Sequence, residues 1–387
     1  MHIAVPLDPV HLLASPAHQQ VWTDAVAFAR DKFGAAPAGD DSGFSRTGWE
    51  RCAEFGLTGF PVPREHGGHA ADLLASTVAF DAFGYACRES GLLFSIGAHL
   101  WPCVMSILRF GTAAQRHRYL PDMCAGRLIG AYAMTEPATG SDAFALTTTA
   151  ARVDGGWLVN GSKTFITNAP VAGLFLVFAT TGRERGPFGL VCLLVEATTP
   201  GVATGAPLNK MGLHGSPVGE VHFTDCFVPD AATLGRVGMG MAIFNAGIEL
   251  ERACILASTL GTMQRQIERA ARQLRRAEGG GPPPGLELAA DTVARMTMRL
   301  HTSRLLAYRT AERLGHQRLN ATDAALVKVK LSEAFAQNSR DARQLEAALR
   351  GGVSPETDRD VHDAVAGRIY SGTNELQRDA LARGLGL

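Results

Sequence analysis

Apolar positions near the start of the chain fall at helical steps: Val21, Ala25, Phe28, Ala29 and Phe33 recur every three or four residues, and Gly34 follows as a stop. That spacing predicts an amphipathic helix, and the same texture continues to about Gly130. From about Ala131 to Val228 the pattern shortens into strand-length runs. Residues 157–159 and 163–166 read as two strands joined by a hairpin-type turn at Asn160-Gly161. Residues 174–180 and 190–195 are uninterrupted apolar runs, as expected of strands covered on both faces, while Val221 and Phe223 alternate with polar neighbours. Beyond Gly240 the helical period returns. Leu256, Leu260, Met263, Ile267 and Leu274 form one stripe and Val293, Met296, Leu300, Ala307 and Leu314 a second, with a third helix expected from the cap candidate Asn320. The Gly/Pro run 279–285 between the first two stripes must be a loop. The order is helices over 1–130, a β domain over 131–235 and a helical bundle over 236–387.

A chain of 387 residues, 46% apolar, has material for two or three packed domains. Lys+Arg and Asp+Glu each total 37, and no basic run is present, which argues against nucleic acid as a partner. The seven cysteines are scattered without a CxxC pair, a usage that fits reduced thiols in a cytoplasm and offers no metal site. The N-terminus has no basic segment followed by an apolar core, and no stretch approaches eighteen uninterrupted apolar residues. The chain is therefore expected to be neither exported nor membrane-spanning.

Four motifs stand in order along this plan. Phe110-Gly111-Thr112-Ala113-Ala114-Gln115 precedes Arg118-Tyr119-Leu120-Pro121. Tyr132-Ala133-Met134-Thr135-Glu136-Pro137-Ala138-Thr139-Gly140-Ser141-Asp142 opens the β region. Lys210-Met211-Gly212-Leu213-His214-Gly215-Ser216-Pro217 lies near its end, and Ile369-Tyr370-Ser371-Gly372-Thr373-Asn374-Glu375-Leu376-Gln377-Arg378 near the C-terminus. In kind, order and spacing these segments resemble the acyl-CoA dehydrogenases. The resemblance implies an α+β multidomain fold with an N-terminal helical domain, a middle β-barrel-like domain and a C-terminal four-helix bundle. It also implies FAD as cofactor and α,β-dehydrogenation of an acyl thioester.

A flavin needs backbone and hydroxyl donors around its ring edge and pyrophosphate, which short polar side chains on irregular backbone supply. By resemblance Tyr132, Met134, Thr135, Gly140, Ser141, Phe165, Ile166 and Thr167 form the flavin site. Met134 and Thr135 would line its pyrimidine side, Ser141 would reach the pyrophosphate and Thr167 would donate to N5. Phe165 stands where the family usually has Trp and keeps an aromatic face. Thr373, Glu375, Arg275 and Gln344 would serve the remainder of the cofactor, although Arg275 lacks the family's following Phe-Gly and the turn after Gln344 has alanines where glycines are expected. Trp101, Ser141, Tyr370 and Gly372 are the implied substrate contacts.

The reaction requires a carboxylate base, which most members carry directly after the tyrosine of the C-terminal segment. Here that position is Ser371, whose hydroxyl cannot act as a general base without an activating partner. A minority of the family places the base on the first long helix of the C-terminal domain. Glu251, followed by Arg252, occupies that position and is the candidate base, with Arg252 able to orient it or lower its proton affinity. A plainer reading makes Glu251 a charge in the first turn of a helix, where the dipole favours carboxylates. The backbone N–H at Ser371 remains available to polarise the thioester carbonyl.

The substrate is expected as a thioester on CoA or on an acyl- or peptidyl-carrier protein, with the divergent motifs favouring a carrier, and the bulk of Trp101 suits a short or cyclic acyl group. Electrons would leave to an electron-transfer flavoprotein or to oxygen, and a homodimer or homotetramer is implied. Two alternatives remain: a flavin monooxygenase on the same fold, and a silent subunit that binds flavin or a carrier.

Overall fold

The stripe ending at Phe33 forms α1 (Pro16–Phe33), which buries Trp22, Ala25, Val26 and Ala29 and stops at Gly34 with φ of 61°. The fold is that of a computed structural model describing residues 7–34, 43–140, 142, 145–182, 186, 188–278, 285–315 and 321–387. There follow α2 (Arg46–Glu54), α3 (Leu73–Ala86), α4 (Ser90–His99), a π-helical turn over Leu100–Val104, α5 (Met105–Phe110) and α6 (Ala113–Cys124). Ser45, Asp72 and Thr112 cap α2, α3 and α6 by accepting from Gly48, Ala75 and Gln115 N–H groups. The helical run Ser90–Phe110 is long and apolar enough to cross a membrane, but 89% of its most apolar window is buried inside the protein. Its apolar surface is taken up by the core.

The middle of the chain is one eight-stranded sheet. Its strands are β1 (Gly130–Ala133), β2 (Thr149–Val153), β3 (Gly156–Thr167), β4 (Leu174–Thr180), β5 (Leu190–Glu196), β6 (Val202–Thr204), β7 (Val218–Pro229) and β8 (Thr233–Leu234). The path runs β6-β7-β3-β2-β4-β5-β8, with β1 parallel to β4 off this path. The barrel-like domain expected from the sequence is this sheet, ending in the short strands β6 and β8. The apolar runs in β4 and β5 have a direct cause. Leu174, Leu176, Phe178, Cys192 and Leu194 join the helical core, whereas Phe175, Val177, Ala179, Val191 and Leu193 face a second core with Trp157, Val159, Val221 and Phe223.

The hairpin turn expected at Asn160-Gly161 is not formed there. Residues 157–166 belong to one strand, β3, and the hairpin turn lies earlier, at Asp154-Gly155 between β2 and β3. Asn160-Gly161 is instead a bulge, where the pairing with β7 shifts register. Asn160 exchanges hydrogen bonds with Asp225, Nδ2 donating to Oδ1 at 3.1 Å and Oδ1 accepting from Asp225 N at 2.8 Å. A Cβ on Gly161 would stand 2.6 Å from Thr148 Oγ1, so the close approach explains the glycine.

The C-terminal helices are α7 (Gly240–Cys254), α8 (Ala257–Glu278), α9 (Leu286–Gly315), α10 (Ala321–Arg350), α11 (Pro355–Ala366) and α12 (Asn374–Gly384). The expected four-helix bundle is α7 to α10, with α11 and α12 packed on α10. Asn320 and residues 279–284 lie outside the described residues. α3 crosses from the N-terminal part to pack on α8 and α9. Gly84 and Gly261 allow that crossing, since a Cβ at either would collide with backbone of the other helix. Beside it Asp81 and Arg304 form a fully buried ion pair at 2.8 Å, with Tyr308 Oη donating to Asp81 at 2.7 Å and Arg304 Nη2 donating to Gln264 Oε1 at 2.7 Å. Asp81→Asn leaves a buried guanidinium uncompensated and is expected to cost about 3–5 kcal/mol. Denaturant unfolding measures it, and a midpoint equal to that of the unaltered protein would contradict this role.

Candidate active site

β1 delivers the chain into the Met134–Gly140 segment, and a buried charge pair holds its start in place. Glu136 and Lys163 are both fully buried and 2.8 Å apart. The Glu136 carboxylate also accepts from Thr147 N at 2.6 Å, Thr147 Oγ1 at 2.5 Å and Thr148 N at 2.9 Å. Lys163 Nζ donates a second bond to Met134 O at 3.0 Å, and Thr164 N donates to Thr135 O at 2.9 Å. Burial by itself raises the carboxyl, but Lys163 and the threonine donors outweigh it and hold Glu136 at about 2. Burial pulls the Lys163 ammonium down to about 8 against the pull of Glu136. The loop carrying Met134 and Thr135 is thus pinned to β3.

The end of β3 then turns outward. Phe165 has φ of 54° and is 68% exposed, while Ile166 is buried and Thr167 half-buried. Asn168, at φ 69°, locks this reversal: Nδ2 donates to Ser95 O at 3.0 Å, and Ser95 Oγ donates to Asn168 Oδ1. An open aromatic face and two threonine hydroxyls that no other described side chain engages are what a flavin ring needs. A Cβ at Gly140 would meet no atom within 4 Å, so the neighbouring backbone can also be approached closely. The residues present fit FAD.

The second half of the site comes from α7 and the C-terminal turn. Glu251 lies in the last turn of α7, not the first, so the helix dipole works against its charge. It is buried, and Ser371 Oγ donates to its Oε1. Burial pushes its carboxyl up to about 6, against the Ser371 hydrogen bond and the Arg252 charge. Arg252 Nε donates to Ser371 O at 2.8 Å. The turn itself is left-handed at Ser371 (φ 56°) and Gly372 (φ 86°). Tyr370 packs against Phe94 of α4 at 4.4 Å between ring centroids, the rings tilted by 43°.

The structure therefore gathers Glu251, Arg252, Tyr370, Ser371 and Gly372 in one cluster and Met134, Thr135, Phe165, Ile166 and Thr167 in another. Ser141 lies outside the described residues. The Tyr132 ring packs against Phe178 and Phe244, and its hydroxyl donates to Ile243 O at 3.2 Å, so this side chain is used internally. Trp101 is fully buried in the π-helical turn beside Phe80. The Thr373 hydroxyl caps α12 and exposed Glu375 pairs with Arg378 at 3.5 Å. Arg275 and Gln344 are exposed, and a Gln273–Glu346 hydrogen bond at 3.4 Å sets their helices side by side at one end of the bundle. Lys163 and the pairing of Glu136 were not foreseen from the sequence. A lone charge inside a strand without any other was the available signal.

Models of the N-terminal, middle and C-terminal domains of acyl-CoA dehydrogenase match residues 15–127, 131–226 and 238–386. An L-prolyl-peptidyl-carrier protein dehydrogenase of Pseudomonas fluorescens is 35% identical over 346 residues, 89% of this chain and 91% of that protein. The crystal structure of the prolyl acyl carrier protein oxidase AnaB superposes with a TM-score of 0.92 at 34% identity, covering 97% of this chain and 100% of the other. PigA with FAD and proline superposes with a TM-score of 0.90 at 31% identity, covering 97% and 99%. Fold and site define an FAD-dependent oxidoreductase of acyl thioesters. The chain belongs to the acyl-CoA dehydrogenase family.

Glu136→Gln is expected to leave Lys163 buried without a counter-charge, at about 3–5 kcal/mol, and to release FAD on gel filtration. In the unaltered protein the Glu136 contribution is complete above its ordinary value of 4.5 and fades as pH falls toward about 2. FAD release should therefore accelerate across that window, and a variant that keeps stoichiometric FAD would contradict the anchor.

Proposed function

We propose that the chain dehydrogenates a compact acyl or aminoacyl group held as a thioester on a carrier-protein pantetheine arm, with Glu251 as the base. The observation that carries this reading is the buried Glu251 carboxylate, bonded to the serine that replaces the usual C-terminal glutamate. Its value of about 6 keeps it ionised at neutral pH and still basic enough to take an α-proton. Met134, Thr135, Phe165, Ile166 and Thr167 would hold the flavin ring, and Thr373 and Glu375, with Arg275 and Gln344 of a neighbouring copy, its remainder. Bound FAD supplies the two-electron acceptor for the β-hydride that leaves as the α-proton goes to Glu251. The Ser371 N–H would polarise the thioester carbonyl, with Tyr370 and Gly372 beside the acyl group.

The carrier is supported by the carrier-bound prolyl substrates in the names of the relatives given above. Phe94 of α4 packs on Tyr370 at 4.4 Å between ring centroids, and a Cβ on Gly97 of the same helix would lie 2.6 Å from Ile255 and 3.6 Å from Trp101. CoA is the other thioester class the site would accept. An electron-transfer flavoprotein or oxygen would receive the electrons. Exposed Leu288, Met298 and Leu305 on α9 and Leu326 on α10 support a homodimer or homotetramer. Seven buried free cysteines suit the cytoplasm.

Anaerobic titration of the FAD-loaded protein with matched prolyl thioesters on a carrier protein and on CoA tests the reading. The carrier form should bleach the flavin at lower concentration, and Glu251→Gln should retain FAD but reduce it at least about a hundredfold more slowly. Equal bleaching by the CoA form would remove the carrier, and normal reduction in the variant would remove Glu251. Bleaching by neither, with flavin reduction only on adding NAD(P)H, would favour a monooxygenase.

The rate of flavin reduction should rise with pH through about 6, because only the ionised carboxyl takes the proton. Ser371→Ala removes a hydrogen bond to the charged form, worth about 1.5–3 kcal/mol. The acid limb should move up by about one to two pH units. A limb that stays in place under rapid-mixing kinetics would detach Ser371 from the base.

A further inference from the structure

Lys328, in α10, is fully buried, and its Nζ donates to Asn374 Oδ1 at 2.8 Å. A buried ammonium ordinarily has a carboxylate against it, yet among the described residues none forms an ion pair with this one. The charged groups that face it are Arg252 from α7, Arg368 from the turn after α11, and Arg378 and Glu375 from α12. Three of the four repel it, and exposed Glu375 is paired with Arg378. Burial, and after it Arg252, bring the ammonium down to about 8. Such a cation works against folding, so its place calls for another reason.

Its partner supplies one. Asn374 is fully buried at the start of α12, and its N–H donates to Arg368 O at 3.0 Å, closing the turn that contains Tyr370, Ser371 and Gly372. The Asn374 amide also donates from Nδ2 to Ser332 Oγ at 3.1 Å, one turn along α10 from Lys328. The enclosed turn holds two consecutive residues at positive φ, a conformation a serine does not adopt without support. A Cβ on Gly372 would lie 2.7 Å from Gln377 Nε2 and 3.1 Å from Arg252 Nη2, so the turn has no slack.

We infer that Lys328 is a positioning residue: by holding Asn374 it fixes the turn from which Ser371 donates to Glu251, and through that bond it tunes the base. The inference rests on Glu251 being the base. The groups facing Glu251 are Ser371 and Arg252, with Cys103, Tyr132 and Tyr370 around the carboxyl. Lys328 is not among them, and its influence runs through Asn374 and Ser371.

The test compares FAD-loaded Lys328→Met, Ser371→Ala and the double variant by flavin content, melting temperature and the pH profile of anaerobic flavin reduction. Lys328→Met should keep its FAD and melt no lower than the unaltered protein, since it removes an uncompensated buried charge. Its acid limb should nevertheless move up, and the double variant should move no further than Ser371→Ala alone. Asn374→Leu, which deletes the same bond from the other side, should shift the limb likewise, while Asn374→Asp, which keeps an acceptor for the ammonium, should restore it. A limb left in place by both Lys328→Met and Asn374→Leu, or a shift that adds to that of Ser371→Ala, overturns the inference. Failure of Ser371→Ala itself to move the limb overturns the underlying reading of the base instead.

Discussion

The hydrogen bond from Ser371 to Glu251 joins the last turn of α7 to the turn before α12, and the proposed chemistry depends on it. Burial and the C-terminal end of the helix dipole both disfavour a charged carboxyl at that place. The donor from Ser371 and the Arg252 charge both favour the ionised form that can accept a proton. Ser371 and Arg252 offset that cost only in part, leaving the carboxyl at about 6. On the proposed reading, the serine that cannot be a base is what keeps the glutamate across from it available as one.

The flavin side is organised on the same physical logic with the opposite balance. Glu136 is also buried but is met by Lys163 and three threonine donor groups, so it stays ionised and acts as an anchor. The contrast comes from the partners: a full counter-charge and several donors in one case, one hydroxyl and a flanking arginine in the other. One carboxylate fixes geometry, and the other keeps a proton affinity suited to catalysis.

Periodicity made the layout of the chain readable because burial imposes it. The stripe to Phe33 is α1, the apolar runs are β4 and β5, and the stripe from Leu256 to Leu274 is α8 except for Leu256, which stands in the turn before it. Asn160-Gly161 misled because a glycine needed for close approach to Thr148 has the same local signature as one needed for a turn. Ser371 and Glu251 were legible as the places of a lost and a candidate relocated carboxylate, but their hydrogen bond was not, since it spans 120 positions of sequence. Lys163, Asn168 and Lys328 were hidden for the same reason, each acting through a partner far along the chain. The interior use of Tyr132 depended on α7, whose packing no local pattern encodes.

The most direct test is the protonation state of Glu251 itself. Infrared difference spectra of the FAD-loaded protein, titrated through acid and compared with Glu251→Gln, isolate the carboxylic acid stretch of this one side chain. A base tuned by burial and Ser371 gives a band present in the unaltered protein, absent from the variant and disappearing as pH rises through about 6. A band that disappears near 4.5, the ordinary value for glutamate, or that survives in Glu251→Gln, would contradict it.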